Sequence, residues 1–157
     1  MAATRRRQIL EVFRTRLLGI KTVDGFNTNA GDLVFLGETP VLGPDDTEPV
    51  ALAVVVLTDD VIHSQENVKT VLPIEIQAIT KPNAHEQSQP WLLVEDVIGD
   101  VKTAIETSDR TLGGLLSHQR DIRRGPTRFL ERESGDDIIA AGITYIVEFV
   151  EGWGAPA

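Results

Sequence analysis

The sequence predicts an α+β fold, a mainly antiparallel sheet of about four to five strands with two helices packed on it and a C-terminal β-hairpin. Three observations carry this. Residues 4–20 and 90–107 repeat apolar side chains at the period of a helix, whereas 33–36, 50–57, 70–80, 120–132 and 137–150 are short β-prone or alternating runs. Links between most of the β runs are short and rich in Gly, Pro, Asn and Asp, which favours antiparallel neighbours over a doubly wound parallel sheet. At 157 residues the chain has the length of one domain, expected to bury roughly 68–70% of the surface that its unfolded form exposes. One domain over 1–157 is therefore expected, with flexible ends at 1–4 and 152–157 and exposed loops at 43–49 and 58–69.

In chain order, Ile9, Leu10, Phe13 and Leu17 form one helical stripe, Thr4 fits its N-cap and Gly19 its stop. Arg5, Arg6 and Arg7 fall in the first turn, where the helix dipole disfavours cations, so this start either frays or has its arginines held by a partner. "GFNTNAG" is a turn leading to a short strand at Leu33–Leu36, and "PDDTEP" from Pro44 to Pro49 is an acidic loop. Val50–Leu57 suits a strand covered on both faces. In "TVLPIEIQAIT", Leu72, Ile74, Ile76 and Ala78 alternate with Pro73, Glu75 and Gln77; Pro73 points to an edge or a bulge. The second helix opens at Pro90, with Ser88 or Gln89 before it, and its stripe is Leu93, Val97, Val101 and Ile105, with Leu92 and Ile98 beside them. Gly113 and Gly114 permit a sharp change of direction, and "ESGDD" marks a hairpin between the last two strands. In the second of these, Ile139, Ala141, Ile143, Tyr145, Val147 and Phe149 alternate with smaller or polar residues.

The net charge of −9 is uneven. Residues 1–21 carry six bases and one acid, 22–70 nine acids and one base, 71–118 seven acids and three bases, 119–135 five bases and three acids, and the remainder four acids. The two basic islands are either solvated surface or flanks that complement acidic patches on a neighbouring subunit. No apolar run approaches the ~18 residues of a membrane span, and the arginines near the start are not followed by an apolar signal region. Zero cysteines exclude disulfides, thiolate metal sites and cysteine nucleophiles.

Chemistry is sparse. Ser64 beside His63, with Asp59 and Asp60 upstream, is the one suggestive nucleophile cluster, but adjacent loop residues rarely face one another and no G-x-S-x-G elbow is present. His85 and His118 lack an i, i+4 partner for a metal, and Asp45-Asp46 and Asp59-Asp60 lack the ordered spacing of a calcium loop. Gly113-Gly114 is followed by no Lys-Ser/Thr, so it is not a phosphate-binding loop. No catalytic residue, metal or cofactor is expected.

Nucleic acid is the obvious partner for the second island. Arg124, Arg128 and Arg132 are four apart and share one face of an unbroken strand, with Arg123 on the other, although Gly125-Pro126 interrupts the regularity. Against DNA stand Glu131 and Glu133 among the arginines, the acidic body and the near absence of aromatics for stacking. Protein contact is the better expectation.

The order "TLGGLL" after an amphipathic helix, an arginine-bearing strand, "ERESGDDIIAAGITYIVEFV" and the tail "EGWGAP" resembles the C-terminal half of tail terminator proteins of long-tailed bacteriophages, also called tail completion or minor tail U-like proteins. The opening helix, "GFNTNAG" before a short strand, the strand near 50–57 and "LPIEIQAI" before the second helix agree in outline. The acidic loop 44–49 and the polar stretch 58–69 do not align with the family. The resemblance implies a non-enzymatic virion protein at the head–tail junction, made in the host cytoplasm, that forms a homo-oligomeric ring, usually a hexamer. Such a ring caps the tail tube, ends its polymerisation and offers a joining surface to the neck proteins, while DNA slides through the lumen unbound. Arg123, Arg124, Arg128 and Arg132 are the expected interface residues, with Asp45, Asp46 and Glu48 as acceptors. The alternatives are another head–tail connector protein or, in a different class, a small cellular adaptor.

Overall fold

A computed structural model of the chain describes residues 3–37, 40, 42, 49–81, 90–117, 120–130 and 138–152. Helix α1 spans Arg5–Leu18, and Thr4 caps it by accepting from the Arg7 backbone N–H at 3.2 Å. Ile9, Phe13 and Leu17 are fully buried, as the stripe requires. The misplaced arginines at its start are held within the molecule. Arg6 pairs with Asp59 at 2.9 Å, Arg7 with Glu11 at 2.8 Å, and Arg5 donates to the Val150 carbonyl at 3.2 Å.

The sheet runs β1 (Val34–Leu36), β2 (Val50–Val56), β4 (Asn67–Thr80), β6 (Ile139–Gly152) and β5 (Arg123–Phe129), with β3 (Asp60–His63) also paired to β4. Among the described residues it has six strands and is mixed, since β1 lies parallel to β2 while the other pairs are antiparallel. Gly37 to Pro49 explains the difference: these thirteen residues match the length that a parallel crossover demands, where a hairpin needs only a few. The expected loop at 58–69 is instead β3 with the start of β4, joined through Ser64, whose hydroxyl donates to the Asn67 carbonyl at 2.9 Å. All four β3 residues are exposed, so no apolar alternation announced the strand.

β4 and β6 pair over fourteen residues each, from Asn67 opposite Gly152 to Thr80 opposite Ile139. Pro73 is interior to this ladder, not at an edge. Its carbonyl accepts from Leu57 N–H, so its missing donor faces the gap where β2 pairing ends at Ile74 and β3 pairing begins at Val71. Leu72, Ile74, Ile76 and Ala78 of β4 and Ile139, Ala141, Ile143, Tyr145, Val147 and Phe149 of β6 are buried against the helices.

Helix α2 spans Pro90–Glu106 and buries Val94, Val97, Ile98, Val101, Ala104 and Ile105, whereas Leu92 is exposed. Val97, Ile98, Val101 and Ile105 of the expected stripe are thus in the core and Leu93 packs half-buried against it; Leu92 alone falls outside, and Val94 and Ala104 complete the face. Ser88, Gln89 and the "ESGDD" turn lie outside the described residues. Asp100, on α2 and buried, accepts from Asn27 N–H (3.0 Å), Asn27 Nδ2 (3.1 Å), Thr28 N–H (2.7 Å) and Thr28 Oγ1 (2.7 Å), which ties "GFNTNAG" to the helix. Gly31 in that motif touches the end of α1 so closely that a Cβ there would stand 2.6 Å from the Leu17 carbonyl oxygen. Arg16 of α1 donates to the Ile105 carbonyl at 2.8 Å and to that of Asp109, closing the C-terminus of α2. No helix among the described residues is long and apolar enough to cross a membrane.

Candidate functional site

Helices cover one face of the sheet, and the other face carries the charge. Which arginine reaches it is decided by one irregularity. The β5–β6 register shifts between Arg124 and Thr127, around Gly125-Pro126. A one-residue slip moves side chains to the opposite face of a strand. Arg123 pairs with Ile146 and Arg128 with Gly142, so both point to the open face; Arg124 pairs with Tyr145 and points to the helices. The four-residue spacing of Arg124 and Arg128 therefore does not place them together, and the expected segregation of Arg123 is reversed.

On the open face Arg128 makes a bidentate contact with Glu75, Nε to Oε2 and Nη2 to Oε1, both 2.8 Å. The contact passes over Gly142, where a Cβ would stand 2.9 Å from Glu75 Cδ. Gln77 Nε2 also donates to Glu75 Oε1 at 2.8 Å. The Arg128 hydrogen bond is the main reason that the Glu75 carboxyl titrates below its ordinary value; burial opposes it, and Gln77 and the arginine charge assist. The side chain of Glu75 is only 3% exposed, against 55% for Arg128, so a nearly dry carboxylate fixes a largely hydrated guanidinium.

A second carboxylate gathers three cations. Glu148, with its side chain 8% exposed, has Lys69 Nζ and Arg120 Nη1 each at 3.1 Å from Oε2 and Arg123 Nη2 at 2.9 Å from Oε1. Burial pushes its pKa up, but the Lys69 hydrogen bond and charge, with Arg120 and Arg123, outweigh this and hold it below the ordinary value. Among the described residues these ion pairs set Lys69, Arg120, Arg123 and Arg128 against Glu75 and Glu148, four cations to two anions in an acidic chain. Arg124 sits apart, 3.5 Å from Glu106 of α2.

Of the expected interface residues, Arg123 and Arg128 come together and Arg124 does not; Arg132, Asp45, Asp46 and Glu48 lie outside the described residues. Glu75, Glu148, Lys69 and Arg120 were not foreseen. A glycine inside the β6 run was the available signal, since a strand glycine often makes room for a close neighbour.

The suggestive chemical residues are occupied structurally. Asp59 is bound to Arg6 and Ser64 closes the β3–β4 turn. No group of His, Asp and Glu among the described residues is arranged to hold a metal ion. A cavity of about 190 Å³ borders the Glu75–Arg128 pair, lined also by Pro40, Ile79 and Leu130, and a groove of about 490 Å³ lies beside Lys69. Trp91 and Phe129, both partly exposed, meet edge to face with ring centres 5.7 Å apart. The chain matches no protein-family model and no curated protein.

Proposed function

We propose that this chain is a ring-forming structural subunit, a tail terminator that caps the tail tube of a long-tailed bacteriophage, stops its growth and offers its other side to the neck proteins. The observation that carries the reading is the sheet face away from the helices, where arginines are fixed by buried carboxylates and, among the described residues of these ion pairs, cations outnumber anions by two. Preset cations of this kind suit contact with a defined acidic protein surface, because the ordering of the side chains precedes binding. They suit DNA poorly, since the arginines already bind acids and the chain carries net charge −9. That negative total fits a ring whose lumen DNA crosses without sticking. The elements also follow one another in the order that the family resemblance implies, from opening helix to arginine strand and terminal strand.

The function requires no bond-making chemistry, and we assign none. Purified tail tubes incubated with the protein are expected to acquire a terminal cap visible by electron microscopy and to stop elongating. Particles lacking the protein are expected to show overlong tails unattached to heads. Tubes that keep growing in its presence refute the reading; a protein found instead on isolated head portals is a connector, and an adaptor binds neither.

A further inference from the structure

We propose that the groove between the β3–β4 turn, the start of α1 and the end of β6 receives the acidic segment 43–48 of a second copy of this chain, as the contact that repeats around the ring; this rests on the ring reading above. The groove encloses about 490 Å³ and is lined by Arg5, Ile62, Asn67, Lys69, Leu116 and Val150 among others. That volume falls in the range of clefts that hold ligands. Lys69 is shared with the Glu148 cluster, where three cations surround one buried carboxylate. An ammonium carries three N–H donors and a guanidinium five, more than the two oxygens of Glu148 can accept. Arg5, spending one donor on the Val150 carbonyl, adds a further cation to the wall. The chemistry that this arrangement recognises is a run of carboxylates.

Residues 43–48 hold Asp45, Asp46 and Glu48 and no base. Pro49, which follows them, lies at the far end of the sheet from the groove. The Pro49 carbonyl accepts from Lys81 N–H at 2.7 Å, and Pro40 lines a cavity with Ala78 and Ala141. Lys81 lies twelve positions along the chain from Lys69, about 40 Å for a straight strand rising ~3.4 Å per residue. Asp46 is three residues from Pro49 and reaches at most about 11 Å from it. A copy cannot fill its own groove. With the groove at one end of the sheet and Pro49 at the other, groove and acidic segment join only between copies, head to tail, and a contact of that kind closes into a ring or extends as a filament.

The test mixes isotope-labelled and unlabelled full-length copies, concentrated alone or added to tail tubes, and treats them with a carbodiimide that joins carboxylates to lysine amines. Mass spectrometry is expected to find Lys69 linked to Asp45, Asp46 or Glu48 across differently labelled copies. The variant Arg120→Gln/Arg123→Gln leaves Lys69 both as the reactive amine and as the partner of Glu148. It is expected to lower the yield of that link about tenfold or more, with thermal unfolding confirming that it is folded. Capped tubes without the link, or an unchanged yield in the variant, overturn the contact and leave the terminator reading standing. The link without capping supports the contact and sinks the terminator reading; neither link nor capping sinks both.

Discussion

Asp100→Asn isolates the bond between "GFNTNAG" and α2. Asp100 is 2% exposed and accepts four hydrogen bonds, two on each oxygen, from Asn27 and Thr28. An amide keeps one oxygen. Whichever way it turns, its NH₂ opposes a backbone N–H, of Asn27 or of Thr28. The Thr28 hydroxyl can rotate to accept, but an N–H cannot. One stranded buried donor costs about 1–3 kcal/mol, and each surviving bond loses about 1 kcal/mol as its acceptor changes from charged to neutral. Relief from burying a charge offsets part of this, leaving a net loss of about 2–4 kcal/mol. For a chain of this size each kcal/mol moves Tm by ~2–4 °C, so a drop of about 5–15 °C is expected in thermal unfolding followed by circular dichroism. The amides of Asn27 and Thr28 are expected to lose hydrogen-exchange protection together. Asp96→Asn, exposed on the same helix, is the control and stays within about 0.5 kcal/mol. A shift in Asp100→Asn no larger than the control's refutes the anchor.

Four further outcomes follow from the same contacts. Gly31→Ala places a methyl 2.6 Å from the Leu17 carbonyl oxygen and is expected to destabilise by about 1–3 kcal/mol in urea titration. Gly142→Ala drives a methyl into the Glu75 carboxyl; its cost, of the same ~1–3 kcal/mol order, is expected to shrink in the Glu75→Ala background, and an additive double mutant contradicts the packing described. Glu75 and Glu148 titrate below the ordinary 4.5 in the folded chain, so their contribution is present above that pH and is lost as pH falls through the lowered values. Stability is therefore expected to decline on acidification below about pH 5, less steeply in Glu75→Gln, and equal acid limbs in the two proteins refute this. The buried Tyr145 hydroxyl has no hydrogen-bond partner among the described residues, so Tyr145→Phe is expected to leave stability unchanged or raise it by up to about 1 kcal/mol; a loss above that range would reveal a partner for the hydroxyl.

Local periodicity determined most of the secondary structure by itself. Ile9, Phe13 and Leu17 repeat at the helical period and the β6 alternation from Ile139 to Phe149 at the strand period, and both lie buried as written, because period alone fixes which face of an element is apolar. The α+β class and the acidic character with separate basic islands were likewise open to reading. Tertiary structure decided what period does not encode. β3 is exposed on every residue and carries no alternation, so only its pairing with β4 reveals it. The parallel β1–β2 pair depends on where thirteen intervening residues return the chain. The charged face depends on a single bulge at Gly125-Pro126, which sends Arg124 to the helices and Arg128 to Glu75. Glu75 and Glu148 stand at strand positions that read as solvent-facing, and they are buried because neighbouring strands bring arginines and Gly142 against them. A sequence lists charges along one line, whereas ion pairs form across strands separated by 25 and 53 residues in the Arg123–Glu148 and Arg128–Glu75 contacts. Register alone sets that distance.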